Sequence, residues 1–488
     1  MFRRLIFATL LVFSTWAIAQ DSVVFPDKAL EEAVRNVLNQ PTGDLSVADL
    51  KGIRELVMLG KGVQDLTGLE HLTGLTRFAV SGNGVEDFSV LAGLTQLTQV
   101  HITNNEHVPL ALVAALPNLE ELLLRSNNIS DLHGLEGMKK VRRLWLGTNA
   151  ITDISPLRGL TSVEELLLFE NTISDVSPLA DLDNLQRLSL NRNAIVDITP
   201  LASLTQLQSL NVGENDIVDI APVARLTSLQ TLYLYKNRNL TDGRALSGLV
   251  NLAYLSIEST SIRDLTPLSG MTQLTNLLLR SMDIVDVTPL SPLVALEKLY
   301  LDGNDIVDIG PLAGMTQLKT LELQYNEISD LSALAGMTAL EHLELQGNAI
   351  SDISPLAALT ALGDLDLSSN TVTDTTALAM LTNVEELDLS RNKLSNVEGL
   401  AAMRQLRKLD LQENQIEDLS GLPTFRPGTK LDLRSNSIST LASLVEKTAT
   451  ARDMRIGVGD NLLAEEVFAA HIPAIVKQGN NVYEKVGY

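Results

Sequence analysis

The chain has no cysteine in its 488 residues. That excludes a disulfide framework, thiol chemistry and lipid attachment through a cysteine, so stability has to come from packing. Aromatic residues are scarce, at 4 %, which leaves a core to Leu, Ile and Val. Basic residues are outnumbered 37 to 60, and the resulting net charge of -23 repels nucleic acid and anionic membranes. After the first 19 residues no segment reaches the run of about 18 apolar residues that a spanning helix needs. The six histidines, His71, His101, His107, His133, His342 and His471, form no metal-ligating spacing such as H-E-x-x-H, so no zinc site is expected. Asp302-Gly303-Asn304-Asp305 glances at a calcium loop but lacks the terminal Glu. A glycine-rich phosphate loop and a nucleophile elbow are both missing. The expectation is a protein that is not an enzyme and carries no cofactor.

What is present is a period. The Asn closing the phrase L-x-x-L-x-L-x-x-N stands at 83, 105, 127, 149, 171, 193, 215 and 237, every 22 residues. One extra residue in the loop Arg238–Leu240 shifts the frame, which continues at Thr260, Met282, Asn304, Asn326, Asn348, Asn370, Asn392, Asn414 and Asn436. Stepping back from Asn83 reaches Lys61, making eighteen slots, fifteen of them Asn. Such a period marks a leucine-rich repeat solenoid, an α/β arc in which no unit buries its apolar face alone.

One unit shows why. Around Asn171, Leu166-x-Leu168 alternates with period two and predicts a short strand. Stacked repeats then place strands about 4.8 Å apart in a long parallel sheet on the concave side. Asp175-Val176-Ser177-Pro178-Leu179 leaves room on the convex side only for 3₁₀ or short helical turns. The buried Asn amide should serve backbone groups of its own and the neighbouring turn. Fifteen acids recur four residues after the slot, or five in the repeat with the insertion, from Asp65 and Asp87 to Asp374 and Asp418. Their expected role is to accept backbone N–H groups where the chain turns.

The ends read differently. Arg3 and Arg4, an apolar run from Leu5 to Leu11 and on to Ile18, and Ala17-Ile18-Ala19 predict a signal peptide over 1–19, cleaved near Ala19. The mature chain is then soluble and secreted or periplasmic. A helical N-terminal cap is expected over 20–52, opened by Asp27, with Ala29, Leu30, Ala33, Val34, Val37 and Leu38 on one face and a second helix start at Ser46. One elongated array of about eighteen repeats fills 53–441. An α/β C-terminal cap follows over 442–488, with a helix from Ala464 to Gln478 around Val467, Phe468, Ile472 and Ile475, and an edge strand Val482–Val486.

Phe25-Pro26-Asp27 with its helix, and N-x-I-x-D-I-x-P-L as in Asn348–Leu356, resemble the internalin-like leucine-rich repeat family of bacteria over nearly the whole mature chain. Two departures limit what that implies. The repeats are not followed by an immunoglobulin-like module, and Leu422-Pro423-Thr424-Phe425 only begins like a sorting motif. Cell-wall anchoring and host invasion are therefore not implied.

Residues six, four and two before each slot point away from the core onto the sheet face. Leu123, Trp145, Leu167 and Phe169 form one expected patch there; Tyr233, Tyr235, Tyr254, Leu278 and Tyr300 form a second, with Tyr325 beside it. Arg125, Arg143, Arg187, Arg280 and Lys298 share the face. Further on, the column four before the slot becomes Glu322, Glu344, Asp366, Asp388, Asp410 and Asp432, an acidic stripe that needs a basic partner, flanking lysines or cations to offset it. Exposed aromatics among Arg and polar residues have the composition of recognition hot spots; the alternative is cross-strand stacking for its own sake. The expected function is a binding module for a protein or peptide. The alternatives are a carbohydrate-binding or cell-envelope scaffold protein, since aromatic platforms also stack on sugar rings, and an inhibitor of an extracellular enzyme.

Overall fold

The computed structural model describes residues 22–105, 108 and 110–483; the signal peptide read at 1–19, and Glu484–Val486 of the edge strand, lie outside them. The chain divides into two compact units, residues 1–166 and 167–488. In the first, Glu55–Leu59, Arg77–Ser81, Gln99–Thr103, Glu121–Leu123 and Arg143–Trp145 pair in parallel, each residue opposite the one 22 positions on. In the second, the strands from Arg187–Ser189 to Asn481–Tyr483 pair in parallel in chain order. The 3₁₀ turns expected on the far side of the repeats are present, as at Ser177–Leu179, Thr288–Leu290 and Ser354–Ala358. Each central strand Leu, such as Leu188, Leu299 or Leu387, is buried, and so is the Leu two residues after it. The solenoid fold expected from the period is thus the fold observed. Among the described residues no helix is long and apolar enough to cross a membrane.

The Asn side chain ties each repeat to its predecessor. Asn304 donates from Nδ2 to the carbonyls of Leu279 and Leu301, both at 2.8 Å, and its Oδ1 accepts from Met282 N and Ile284 N, both at 3.0 Å. Asn326, Asn392 and Asn414 repeat three of these bonds, the two to carbonyls and the one accepted from the N–H 20 residues back. One buried amide thereby satisfies backbone donors and acceptors of two consecutive turns that neither strand nor helix can pair. The residue just before the slot takes a left-handed conformation, as in Glu170, Glu214 and Ser369, which turns the chain out of the strand. Thr260 offers a single hydroxyl, donated to Ile257 O at 2.7 Å, and Met282 fills its slot with a buried apolar chain.

All fifteen repeat acids accept the backbone N–H two residues on, from Asp65 to Thr67 at 2.8 Å through Asp418 to Ser420 at 2.8 Å. The backbone bond is the main cause holding the carboxyls of Asp87, Asp131, Asp153 and Asp352 below the usual range. Much of the negative charge thus has a structural origin.

The caps form as helices with differences in detail. Asp27 caps Lys28–Leu38 by accepting from Ala29 N and Leu30 N, and its other oxygen accepts Gln64 N at 2.8 Å. That bond fastens the helix to the first repeat. Ser46 caps Val47–Lys51. Leu30, Ala33 and Val34 are buried, but Val37 is exposed, so the packed face is narrower than the apolar pattern. At the other end the helix contains a π turn, Val467–His471, before Ile472–Lys477. Pro473 has no N–H to give to the preceding turn, and a widened turn is one way a helix accommodates that loss. Val467 and Ile475 are buried whereas Phe468 is exposed, which corrects its placement in the core. A further slot continues the ladder: Asn461 donates to Leu433 O at 2.8 Å and Val458 O at 2.9 Å.

Leu168, fully buried, should cost about 2 to 5 kcal/mol when replaced by Ala, through the cavity left behind. Asn304→Ala strips four bonds from buried backbone and should cost about 3 kcal/mol, far more than Asp308→Ala on the exposed turn. Urea unfolding of the three variants tests this order; an Asp308→Ala variant as unstable as Asn304→Ala would remove the ladder from its central place.

Candidate functional site

The outward columns of the second unit carry the tyrosine patch. Tyr233 and Tyr254, diagonal neighbours on paired strands, have ring centroids 4.8 Å apart, and Tyr235 meets Tyr233 edge-on at 6.4 Å. Burial comes first, then Tyr233 beside it, in pushing the Tyr254 phenol up to about 12. The Tyr235 ring lies across Gly213 on the adjacent repeat, where any side chain would collide with it. Leu278 and Tyr300 sit opposite each other in register. Tyr233, Tyr235, Tyr254, Leu278 and Tyr300 are therefore brought together, each half-buried, and cross-strand stacking is part of what holds them. Tyr325 stands apart from that cluster: it occupies the left-handed turn position, is 64 % exposed and lies against Gly347 of the next turn.

Arg280 organises the neighbouring charges. Its guanidinium lies 4.3 Å from the Tyr300 ring centroid and bonds Asp302 and Glu322, each at 2.8 Å. Glu258 is 3.9 Å away, too far for a hydrogen bond, and its Oε2 is buried without a hydrogen-bond partner. Burial raises the Glu258 and Asp302 carboxyls, with Arg280 partly offsetting it. Three carboxylates around one guanidinium leave an excess of acid next to Arg280, with Lys298 exposed on the same face.

The acidic stripe is continuous in register, Glu322 opposite Glu344, then Asp366, Asp388, Asp410 and Asp432, but its members are not alike. The four Asp turn back to their own strands, accepting from Ser368 N, Ser390 N, Gln412 N and Arg434 N. Their short side chains suit that role. Asp432 takes the Arg434 guanidinium as well, and the longer Glu322 and Glu344 reach other side chains: Glu322 reaches Arg280, and Glu344 lies 3.2 Å from His342 Nε2. Burial, then Asp366 beside it, pushes the Glu344 carboxyl up to about 7. His342 stands alone along the sequence because its partner Asp364 is 22 residues away; the shared repeat column is the signal that pairs them.

The other predicted patch is divided between the units. Leu123 and Trp145 are in register in the first, both half-buried, and Trp145 Nε1 is buried without a hydrogen-bond partner. Leu167 and Phe169, also half-buried, stand in the second unit. Of the basic residues read on the face, Arg143 pairs with Glu121, and Lys298 is exposed.

Models described as leucine rich repeat match residues 294–350, and models of paired leucine rich repeats match 117–159, 161–203, 338–380 and 382–424. No curated protein matches the chain in sequence. The functional domain of InlJ from Listeria monocytogenes, whose solved structure includes a cysteine ladder, has a TM-score of 0.62 at 23 % identity over 74 % of this chain and 79 % of that one. A leucine-rich repeat protein of Leptospira interrogans has a TM-score of 0.62 at 19 % identity, covering 89 % and 97 %. The plant peptide hormone receptor RGFR1, solved in complex with RGF2, has 0.54 at 15 %, covering 89 % and 95 %. At these identities the likeness is one of fold. This chain, without cysteine, has its ladder in asparagine.

Burial and the flanking Asp388 and Asp432 raise the Asp410 carboxyl to about 6. A carboxyl raised on folding binds its proton more tightly in the native state, so its contribution to stability is present below about pH 4 and is lost as pH rises through about 6. Asp410→Asn keeps the acceptor for Gln412 N and removes the charge. The variant should be more stable than the parent at pH 7.5, by on the order of 1 kcal/mol after allowance for solvent screening, with the gain vanishing near pH 4. Melting curves at the two pH values check it; a gain that does not depend on pH would contradict the assignment.

Proposed function

We propose that this chain, an internalin-like leucine-rich repeat protein, is an exported recognition module that holds a protein or peptide on the open face of the sheet in its second unit. The observation that carries the reading is the tyrosine cluster with Arg280: rings already packed at 4.8 and 6.4 Å and a guanidinium already seated on Tyr300. A surface ordered before binding loses little entropy when a partner arrives, and aromatic rings give large contact area with few rotatable bonds. The core beneath these strands is aliphatic, as at Leu232, Leu234, Leu255, Ile257 and Leu299, and has no need of these rings.

Charge narrows the partner. The patch has an excess of carboxylates around Arg280, and the stripe beyond it is acidic, so the favoured ligand is a polypeptide segment presenting apolar and basic side chains. The same charge disfavours nucleic acid. The RGFR1 complex with RGF2 offers a parallel in fold for a repeat array holding a peptide. Export, into the periplasm or beyond the cell, rests on the reading of residues 1–19.

Affinity capture from the native secreted and envelope proteins, run beside a glycan array, tests the proposal. Tyr233→Ala combined with Tyr254→Ala should weaken the captured polypeptide's binding at least tenfold, about 1.4 kcal/mol, while the melting temperature stays within a few degrees of the parent. Wild-type affinity in that double variant would place the binding surface elsewhere. Recognition of glycans with no polypeptide captured would transfer the function to carbohydrate binding.

A further inference from the structure

We propose that His342, Glu344 and Asp364 form a binding site for a divalent transition-metal ion on the same open face. The repeat geometry builds it. His342 and Glu344 are two apart on one strand and so project from one side of the sheet; Asp364 faces His342 directly across the ladder on the next strand. One imidazole nitrogen and one oxygen from each carboxylate lie within 4.8 Å of one another. His342 Nδ1 is 2.9 Å from Asp364 Oδ2, and Nε2 is 3.2 Å from Glu344 Oε1. Ligand atoms at about 2.0–2.1 Å from a tetrahedral zinc are separated from each other by roughly 3.3 Å; the carboxylates face opposite nitrogens of the ring, so the imidazole has to turn out from between them and give one nitrogen to the ion they share.

The surroundings favour a cation there. In the outward columns of the strands bearing His342, Asp364 and Glu386, the carboxylates Glu344, Asp364, Asp366, Glu386 and Asp388 face outward with no Lys or Arg among them. The stripe's flanking lysines, Lys408 and Lys430, come only on later strands. Beside the cluster, Gln346 leaves its Oε1 buried with no hydrogen-bond partner, as does Gln324 on the preceding repeat. One nitrogen and two carboxylate donors suit zinc and its neighbours in the first transition row better than calcium, which takes oxygen alone. With three protein ligands, a fourth position stays open for water or for a group of a bound partner.

Full-length protein stripped with chelator and titrated with Zn²⁺ by calorimetry tests the site. One equivalent should bind, and the melting temperature should rise with ion concentration. His342→Ala, Glu344→Gln and Asp364→Asn should each weaken binding at least tenfold, as should His342→Gln, which retains a polar side chain on the strand. His133→Ala, on a turn of the first unit where His133 contacts Asp131, should leave it unchanged. Absence of binding to the unsubstituted protein, or binding indifferent to substitutions at 342, 344 and 364, would overturn the proposal and leave His342 as a proton-bearing bridge between two carboxylates. Because the tyrosine double variant keeps all three ligands, its zinc binding should match the parent's, so failure of the recognition reading and failure of the metal site give different results.

Discussion

The asparagine side chain at the end of each strand is the constraint on which the rest depends. A three-residue strand followed by a sharp turn leaves backbone groups that no regular element can pair, and in a narrow apolar interior water cannot serve them. An amide has two donors and an acceptor oxygen with two lone pairs, which is what a junction between consecutive turns requires. Because the bonds reach back 20, 22 and 25 residues, the length of the repeat cannot drift without breaking them. Where the period does change, the chain supplies a local substitute. In the loop with one extra residue, Leu240 N closes a tight turn on Asn237 O at 3.1 Å.

That constraint also explains what is legible in the sequence. A side chain whose role is fixed by backbone geometry has to recur, so the strands, the 3₁₀ turns, the Asp at the turns and the three outward columns all follow from the period. The misses have the same origin. Ile456-x-Val458-x-x-Asn461 repeats the end of the phrase, but it stands 25 residues after Asn436 because the helix Ala442–Lys447 intervenes. The place of Phe468 depended on a helix with a π turn, whose altered pitch shifts which residues face inward. No pattern of apolar residues encodes that shift.

The outward face was legible as positions but not as interactions. A column of six acids looks uniform in sequence, yet one methylene separates the four Asp, which all accept a backbone N–H of their own strand end, from the two Glu, which reach Arg280 or His342. Likewise His342 is an isolated histidine along the chain and a member of a cluster across the ladder. In a parallel stack the nearest neighbours of a surface residue are one repeat away, so clusters are found by reading columns, not windows.

The interruptions of the ladder fall beside the candidate site. Apart from the first slot, the array departs from Asn only at Thr260 and Met282, and the extra residue lies just before them. The strands of these repeats and their immediate neighbours present Tyr233, Tyr254, Leu278 and Tyr300. A regular array would gain bonds by placing Asn in both slots, since Thr260 makes one and Met282 none from its side chain. Natural chains tend to break their own rules where function competes with stability. The aromatic cluster and the weakened ladder are separate features, one on the surface and one in the core, and their coincidence in the same repeats agrees with the proposal that this surface holds a partner.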